Sequence, residues 1–367
     1  TGTDTDTGTE TSECGDGAIT GNETCDDSDS EPMDGCSELC QLEPACTSGA
    51  CGAVCGDGIV VAPEACDDGN RVPSDGCSAT CTQESGWSCD EPGCNGTCPM
   101  ALKAVYRDFT SAHEDFGVIC SGSYPGMVAA TLGSDGKPVA TASAATHCIS
   151  VLGDWYAGDA SRIADLVLYP NGAGGFVNRW GAGGEQWAYP NDTIIAYEPC
   201  ETSDCMPCSF ASSYSCDFDL YDGTPLFFPA DGIGTEFAEA KIPDEYGATG
   251  WPWEEDVLGT AVLHNFYFTS EMTYWFVYDA QTPATLATTG DDDVWIFVNG
   301  QLAIDLGGTH VPLSDSVILG NTGETFGMVD GNVYAIKVFH AERKMEGSSF
   351  RLSLTGFTTA RTECVPD

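Results

Sequence analysis

Apolar and polar positions are distributed differently in the two parts of the chain. Past residue 99, short runs rich in aromatic and β-branched residues recur. They are AVLHNFYF (261–268), MTYWFVY (272–278), VWIFV (294–298), VYAIKVF (333–339) and FRLSL (350–354), and each predicts a strand. Asn299-Gly300 stands between VWIFV and QLAID, and Asn-Gly between apolar runs predicts a two-residue hairpin. Counting back from that turn brings Val294 opposite Asp305. Helical periodicity is confined to short pieces near 143–156. The pattern predicts a mainly β fold over 99–367, a sandwich with long loops. A Gly- and Cys-rich insert over about 170–219 interrupts it.

Before residue 99 the apolar runs give way to cysteines. Cys14, Cys25, Cys36 and Cys40 are followed at the same spacing by Cys55, Cys66, Cys77 and Cys81. The residues around them recur too: Cys14-Gly15-Asp16-Gly17 with Cys55-Gly56-Asp57-Gly58, Cys25-Asp26-Asp27 with Cys66-Asp67-Asp68, and Asp34-Gly35-Cys36 with Asp75-Gly76-Cys77. This is a tandem repeat, 14–54 and 55–98. Units so short cannot bury a core and rely on bridges. Connectivity stays open at this level. Asp26 and Asp27, with Asp67 and Asp68, are candidate calcium ligands, but stabilising the turns is the expected role. Residues 1–13 are Thr, Ser, Gly and acid and read as a flexible linker.

Composition narrows the function. The chain of 367 residues carries 57 Asp and Glu against 12 Lys and Arg, a formal net charge of −45. Phosphate backbones and anionic membrane surfaces repel such a surface. Hard cations, calcium first, are its natural partners, although dense negative charge also serves solubility. The 20 cysteines indicate disulfides in an oxidising compartment rather than zinc, since only Cys205 and Cys208 have Cys-x-x-Cys spacing. Two local disulfides are expected among Cys200, Cys205, Cys208 and Cys216. No signal peptide and no apolar run of membrane-spanning length occur, so the chain reads as mature, secreted or cell-surface protein. H-E-x-x-H and G-x-S-x-G motifs are absent from the sequence, and no enzymatic role is expected.

The stretch with the most chemistry is GDDDVWIFVNGQLAIDLGGTH, 290–310. Asp291, Asp292 and Asp293 in succession repel one another, and a cation relieves that repulsion. The hairpin is expected to return Asp305 to the same end of the sheet. Gly307-Gly308 permits a close backbone approach, with Thr309 and His310 on the same loop. Calcium ligates oxygen, so His310 is expected to hydrogen-bond within the loop or contact a ligand rather than bind metal.

The repeats, most fully CGDGIVVAPEACDDGNRVPSDGCSATC, resemble the Cys-rich repeat of myxobacterial surface proteins. The 290–310 stretch resembles the signature of the fibro-slime domain. LKAVYRDF (102–109), TLGSDGKP (131–138), HNFYFTSEMTYWFVY (264–278) and FHAERKMEGSSFRLSL (339–354) agree with it. That domain belongs with PA14-like β-sandwiches, which include calcium-dependent yeast adhesins. The resemblance implies a cis peptide between two calcium-binding aspartates, here Asp291 and Asp292, with sugar hydroxyls completing the shell. Asp293 replaces the usual glycine and is a further candidate ligand. A second calcium loop falls between Phe339 and Phe350, with Glu342 and Glu346 as candidate ligands, although Glu342 could instead pair with Arg343. Asp291, Asp292, Gly308, Thr309 and His310 are the candidate ligand contacts, with Trp180 and Trp187 either a sugar platform or core. The expected function is calcium-dependent adhesion to extracellular carbohydrate. The alternative is a structural matrix protein in which calcium only stabilises and the chain self-associates.

Overall fold

The computed structural model describes residues 14–21, 23–29, 31–47, 50–90, 100–110, 112–117, 121–157, 162–170, 175–178, 227–229, 266–321, 323–344, 348–360 and 362–366. In the repeat region, β1 (Asp34–Cys36), β2 (Leu42–Thr47) and β3 (Ala50–Gly52) form a small antiparallel sheet, and β4 (Trp87–Asp90) follows. The remaining strands are β5 (Met100–Asp108), β6 (Arg162–Pro170), β7 (Gly175–Asn178), β8 (Phe268–Val277), β9 (Ala284–Asp291), β10 (Asp293–Val298), β11 (Gln301–Leu306), β12 (Leu313–Leu319), β13 (Val333–Glu342), β14 (Ser349–Thr355), β15 (Thr358–Thr359) and β16 (Glu363–Pro366).

β5 to β14 hydrogen-bond in the order β11-β10-β13-β8-β5-β6-β7-β14-β9-β12, with β15 also on β8. The sheet wraps around one core. Leu102, Phe276, Ile296 and Val338 come from one half, and Leu286, Leu352 and Leu354 from the other. A second apolar cluster lies on the opposite face of β10 and β13, where Trp295, Phe297 and Phe339 pack on Trp155 and Tyr156. The alternation along β10 explains both: Val294 and Ile296 face one cluster, Trp295 and Phe297 the other.

Four of the five expected strands are present. In the fifth, 261–268, strand begins at Phe268, and 261–265 lie outside the described residues. Asn299-Gly300 forms the expected hairpin turn, both residues at positive φ, as this turn type requires. Its register differs from the count made on sequence. A bulge between Ile296 and Phe297 places Asp305 opposite Trp295 and Leu306 opposite Val294. An extra residue in one strand shifts every pair beyond it. Among the described residues the helical pieces are one 3-10 turn (Ala144–Thr146) and α1 (Leu152–Trp155).

Both repeats have the same bridges. Cys14–Cys40 and Cys25–Cys36 in the first correspond to Cys55–Cys81 and Cys66–Cys77 in the second. Cys46–Cys51 joins β2 to β3, and Cys89–Cys364 joins β4 to β16. Cys200, Cys205, Cys208 and Cys216 lie outside the described residues.

Candidate functional site

The end of β9, the start of β10 and the end of β13 converge. β13 pairs with β10 so that Asp293 faces Ala341 and Val294 faces His340. Three buried carboxylates are neighbours there, Asp292 beside both Asp291 and Glu342, and Glu342 has 0% of its surface exposed. A cis peptide bond joins Asp291 to Asp292.

Each carboxylate is held by few donors. Asp291 Oδ1 accepts from Ser349 N (2.6 Å) and Ser349 Oγ (2.7 Å). Asp292 Oδ2 accepts from Arg343 N (3.0 Å). Glu342 Oε1 accepts from Lys344 N (3.2 Å). Glu342 Oε2 is buried with no hydrogen-bond partner among the described residues. Its side chain lies against Asp292, and two carboxylates in contact need a shared proton or a cation between them.

The protonation equilibria report this crowding. Burial, then the Asp292 charge, pushes Asp291 well above the usual carboxylate range. Burial, then Asp292 and Asp291, does the same to Glu342. Asp292 is pushed up to about 7 by burial, against the pull of Arg343. The donor set is all oxygen, from carboxylates on strand ends, which is the chemistry of a hard divalent cation.

Asp293 is not part of this group. Its Oδ1 accepts from Gly308 N (2.5 Å) and its Oδ2 from Arg343 Nε (2.7 Å). Both oxygens are engaged, so the third aspartate of the run anchors the loop. Arg343 therefore pairs with Asp293 rather than with Glu342. Its guanidinium also donates to the carbonyls of Asp115 (3.3 Å) and Cys148 (3.1 Å) and lies 4.9 Å from the Trp155 ring centre. Asp305 is likewise separate, because the bulge sets it on the Trp295 side. It accepts from Trp295 Nε1 (3.1 Å) and Gly126 N (2.6 Å).

Gly307–Thr309 lies under a neighbouring segment instead of opening to solvent. Gly307 O and Thr309 O accept from Tyr124 N and Gly122 N, both at 2.7 Å. A Cβ on Gly308 would come within 2.2 Å of Gly122 O, so glycine is needed there for packing. Gly308 and Thr309 are thus backbone anchors, not ligand contacts. His310 Nδ1 and Nε2 lie 2.9 Å and 3.2 Å from the carbonyls of Val311 and Leu306, which seats the ring within the loop. Glu346, Trp180 and Trp187 lie outside the described residues.

Sequence reading missed His340. It is fully buried, and its Nε2 lies 2.7 Å from the carbonyl of Asp291. Its only sequence signal is its place two residues before Glu342.

In the repeats, the first aspartate of each pair organises a turn. Asp67 Oδ1 accepts from Gly58 N and Gly69 N, both at 2.8 Å, and its Oδ2 from Gly56 N at 2.6 Å. Asp26 repeats this with Gly17 N (2.8 Å), Ser28 N (2.9 Å) and Gly15 N (3.1 Å).

Comparison with known proteins agrees with this architecture. Residues 253–366 match the model of the PA14 domain. Residues 2–41 and 44–82 match the Domain of unknown function (DUF4215). Protein psiB of Dictyostelium discoideum is 36% identical over 126 residues, which are 34% of this chain and 19% of that protein. The chain therefore spans a small part of that relative. Among solved structures, the PA14 sugar-binding domain from an RTX adhesin superposes with a TM-score of 0.18 at 16% identity, covering 29% of this chain and 50% of that one. The A domain of epithelial adhesin 9 from Candida glabrata gives a TM-score of 0.19 at 12% identity, covering 29% and 56%. In its mainly β C-terminal part the chain matches the PA14 domain, and it bears two disulfide-bonded Cys-rich repeats in front of it.

Proposed function

We propose that this chain is an extracellular or cell-surface adhesion protein that binds carbohydrate through calcium held by Asp291, Asp292 and Glu342. It performs no catalysis in this reading. What supports this reading is a buried run of three neighbouring carboxylates in which Glu342 Oε2 has no donor among the described residues. Ionising all three at neutral pH without a cation would leave uncompensated buried charge. A divalent cation would neutralise most of it, and it would supply the electrophilic centre to which paired sugar hydroxyls can bind. Asp291 and Asp292 would hold it from the β9–β10 junction and Glu342 from β13. The PA14 match supports a binding module. The disulfides and the large negative charge support an oxidising, extracellular setting.

Calorimetry on chelator-stripped protein tests the site. Wild type should bind calcium stoichiometrically and Asp292→Ala should lose the site; no heat in wild type, or equal binding in the variant, would sink the assignment. A glycan array with and without calcium then tests the second half. Glycans bound only with calcium support adhesion, whereas calcium binding without any glycan makes the metal a stabiliser of a matrix protein.

A further inference from the structure

The fully buried pair Ser270 and His340 sits directly behind the Asp291–Asp292 peptide. His340 Nε2 is 2.7 Å from Asp291 O, and His340 Nδ1 is 3.2 Å from Ser270 Oγ. A carbonyl oxygen can only accept, so Nε2 carries the proton and donates. In a neutral imidazole Nδ1 is then bare and accepts the Ser270 hydroxyl proton. Aromatic rings leave the imidazole little freedom: Phe227, Phe268 and Phe350 have their centres 5.3 to 5.6 Å from it.

Both residues sit on neighbouring strands of the rigid sheet, Ser270 directly opposite His340 in the β8–β13 pairing. β13 also carries Glu342, two residues further on, so one strand sets both the peptide of the two aspartates and the third carboxylate. Asp291 ends β9, opposite Ser349 of β14, and the chain enters β10 at Asp293, so its carbonyl belongs to the junction between the two strands.

We infer that His340, oriented by Ser270, is a positioning residue for the cation site. By gripping the carbonyl between the two aspartates it fixes the direction in which their carboxylates diverge. This rests on the calcium reading above. The relay touches no metal itself. Outer partners of this kind typically change metal affinity by about 10–100-fold when removed.

The test compares wild type, His340→Leu, His340→Gln and Ser270→Ala, full length, by calcium titration calorimetry, by melting in chelator, and by nitrogen NMR of the imidazole in chelated wild type. His340→Leu should weaken calcium binding by at least about tenfold. Gln, which can still present a terminal N–H, should recover much of that loss, and Ser270→Ala should lose less than Leu. The NMR should show the Nε2–H tautomer without metal. A merely structural histidine would lower melting in chelator equally in Leu and Gln and leave affinity untouched, which would overturn the proposal. The Nδ1–H tautomer would overturn it as well. If His340→Leu fails to fold, Ser270→Ala decides: unchanged calcium affinity in that variant sinks the relay. Should wild type bind no calcium, the underlying function fails first. Should wild type bind and all variants bind equally, only this inference fails.

Discussion

The two Cys-rich repeats share one frame and are attached to the sheet in different ways. Repeat 2 docks mainly by apolar contact. Ile59 and Val61 are buried against Trp275, Val333, Ala335 and Ala360. Val60 N donates to Ala360 O at 2.7 Å, and Asp67 and Thr362 exchange hydrogen bonds. The corresponding residues of repeat 1 are Ala18, Ile19 and Thr20, and Ile19 is 63% exposed. Repeat 1 instead reaches the sheet largely through charge, with Met33 and the Cys46–Cys51 bridge as its apolar contacts. Glu38 meets Lys137 at 3.0 Å, Lys137 meets Glu271 at 2.6 Å, and Arg107 meets Glu271 at 3.2 Å. Lys337 is buried 3.9 Å from Glu271. The identical bridges thus set the shape of each unit, and the residues between the cysteines decide where it docks.

Trp275→Ala should break the contrast most severely. It empties the socket under repeat 2 and should cost about 3–5 kcal/mol. Urea unfolding reads the loss, and hydrogen exchange should rise in 55–82 more than in 14–40. Equal exchange in both units would mean that they dock as one body.

Lys137→Met attacks the other attachment. It leaves Glu38 and Glu271 short of a counter-charge and should cost about 2 kcal/mol, below the 3–5 of a fully buried pair because Lys137 keeps some solvent contact. Here the rise in exchange should fall on 14–40. If 55–82 responds instead, the ionic junction serves the sheet and not the repeat.

The smallest effect is in pH. Burial works to raise the Glu38 carboxyl, but Lys337 and Lys137 outweigh it and hold the group well below its ordinary 4.5. An acid whose pKa is lowered on folding stabilises above its unfolded value and loses that contribution as pH falls. Acid should therefore loosen repeat 1 below about pH 4.5, and Glu38→Gln should flatten that arm. Asp57 in repeat 2 is pushed up to about 8 by burial, and by Asp67 and Glu64. Glu43 in repeat 1 is pushed to about 7 by burial. Raised acids stabilise below their unfolded values and lose that contribution as pH rises. As pH rises from the unfolded carboxylate range toward about 7 in repeat 1 and about 8 in repeat 2, both repeats should loosen, and Asp57→Asn should spare repeat 2 alone. Exchange rates corrected for intrinsic pH dependence check both arms, and a profile unchanged by either substitution would remove these groups from the docking.

The hairpin at Asn299-Gly300 was legible because its signals are local: two apolar runs and a turn pair that needs positive φ. The pairing of the repeat cysteines was not deducible from the sequence, because spacing alone leaves the connectivity of four cysteines open. The candidate site was only half legible. Asp291 and Asp292 are adjacent in sequence, so their crowding could be read directly. That Glu342 joins them depends on the β10–β13 register, a contact between residues about fifty apart that no local pattern encodes. The same register gives Arg343 to Asp293 and frees Glu342 Oε2. Asp305 was misplaced by a single bulged residue, which no turn signal announces.

The Cys89–Cys364 bridge closes a loop with a sequence separation of 275 residues, and β4 and β16 lie hydrogen-bonded along it. Consider the chain as a tether under load. A pull applied before residue 89 and after residue 364 travels from one sulfur to the other. The strands on the enclosed loop are bypassed by that covalent path, and load reaches the sheet only through the contacts by which the repeats dock on it. A sheet mounted in this way keeps its fold while the covalent line past it is stretched.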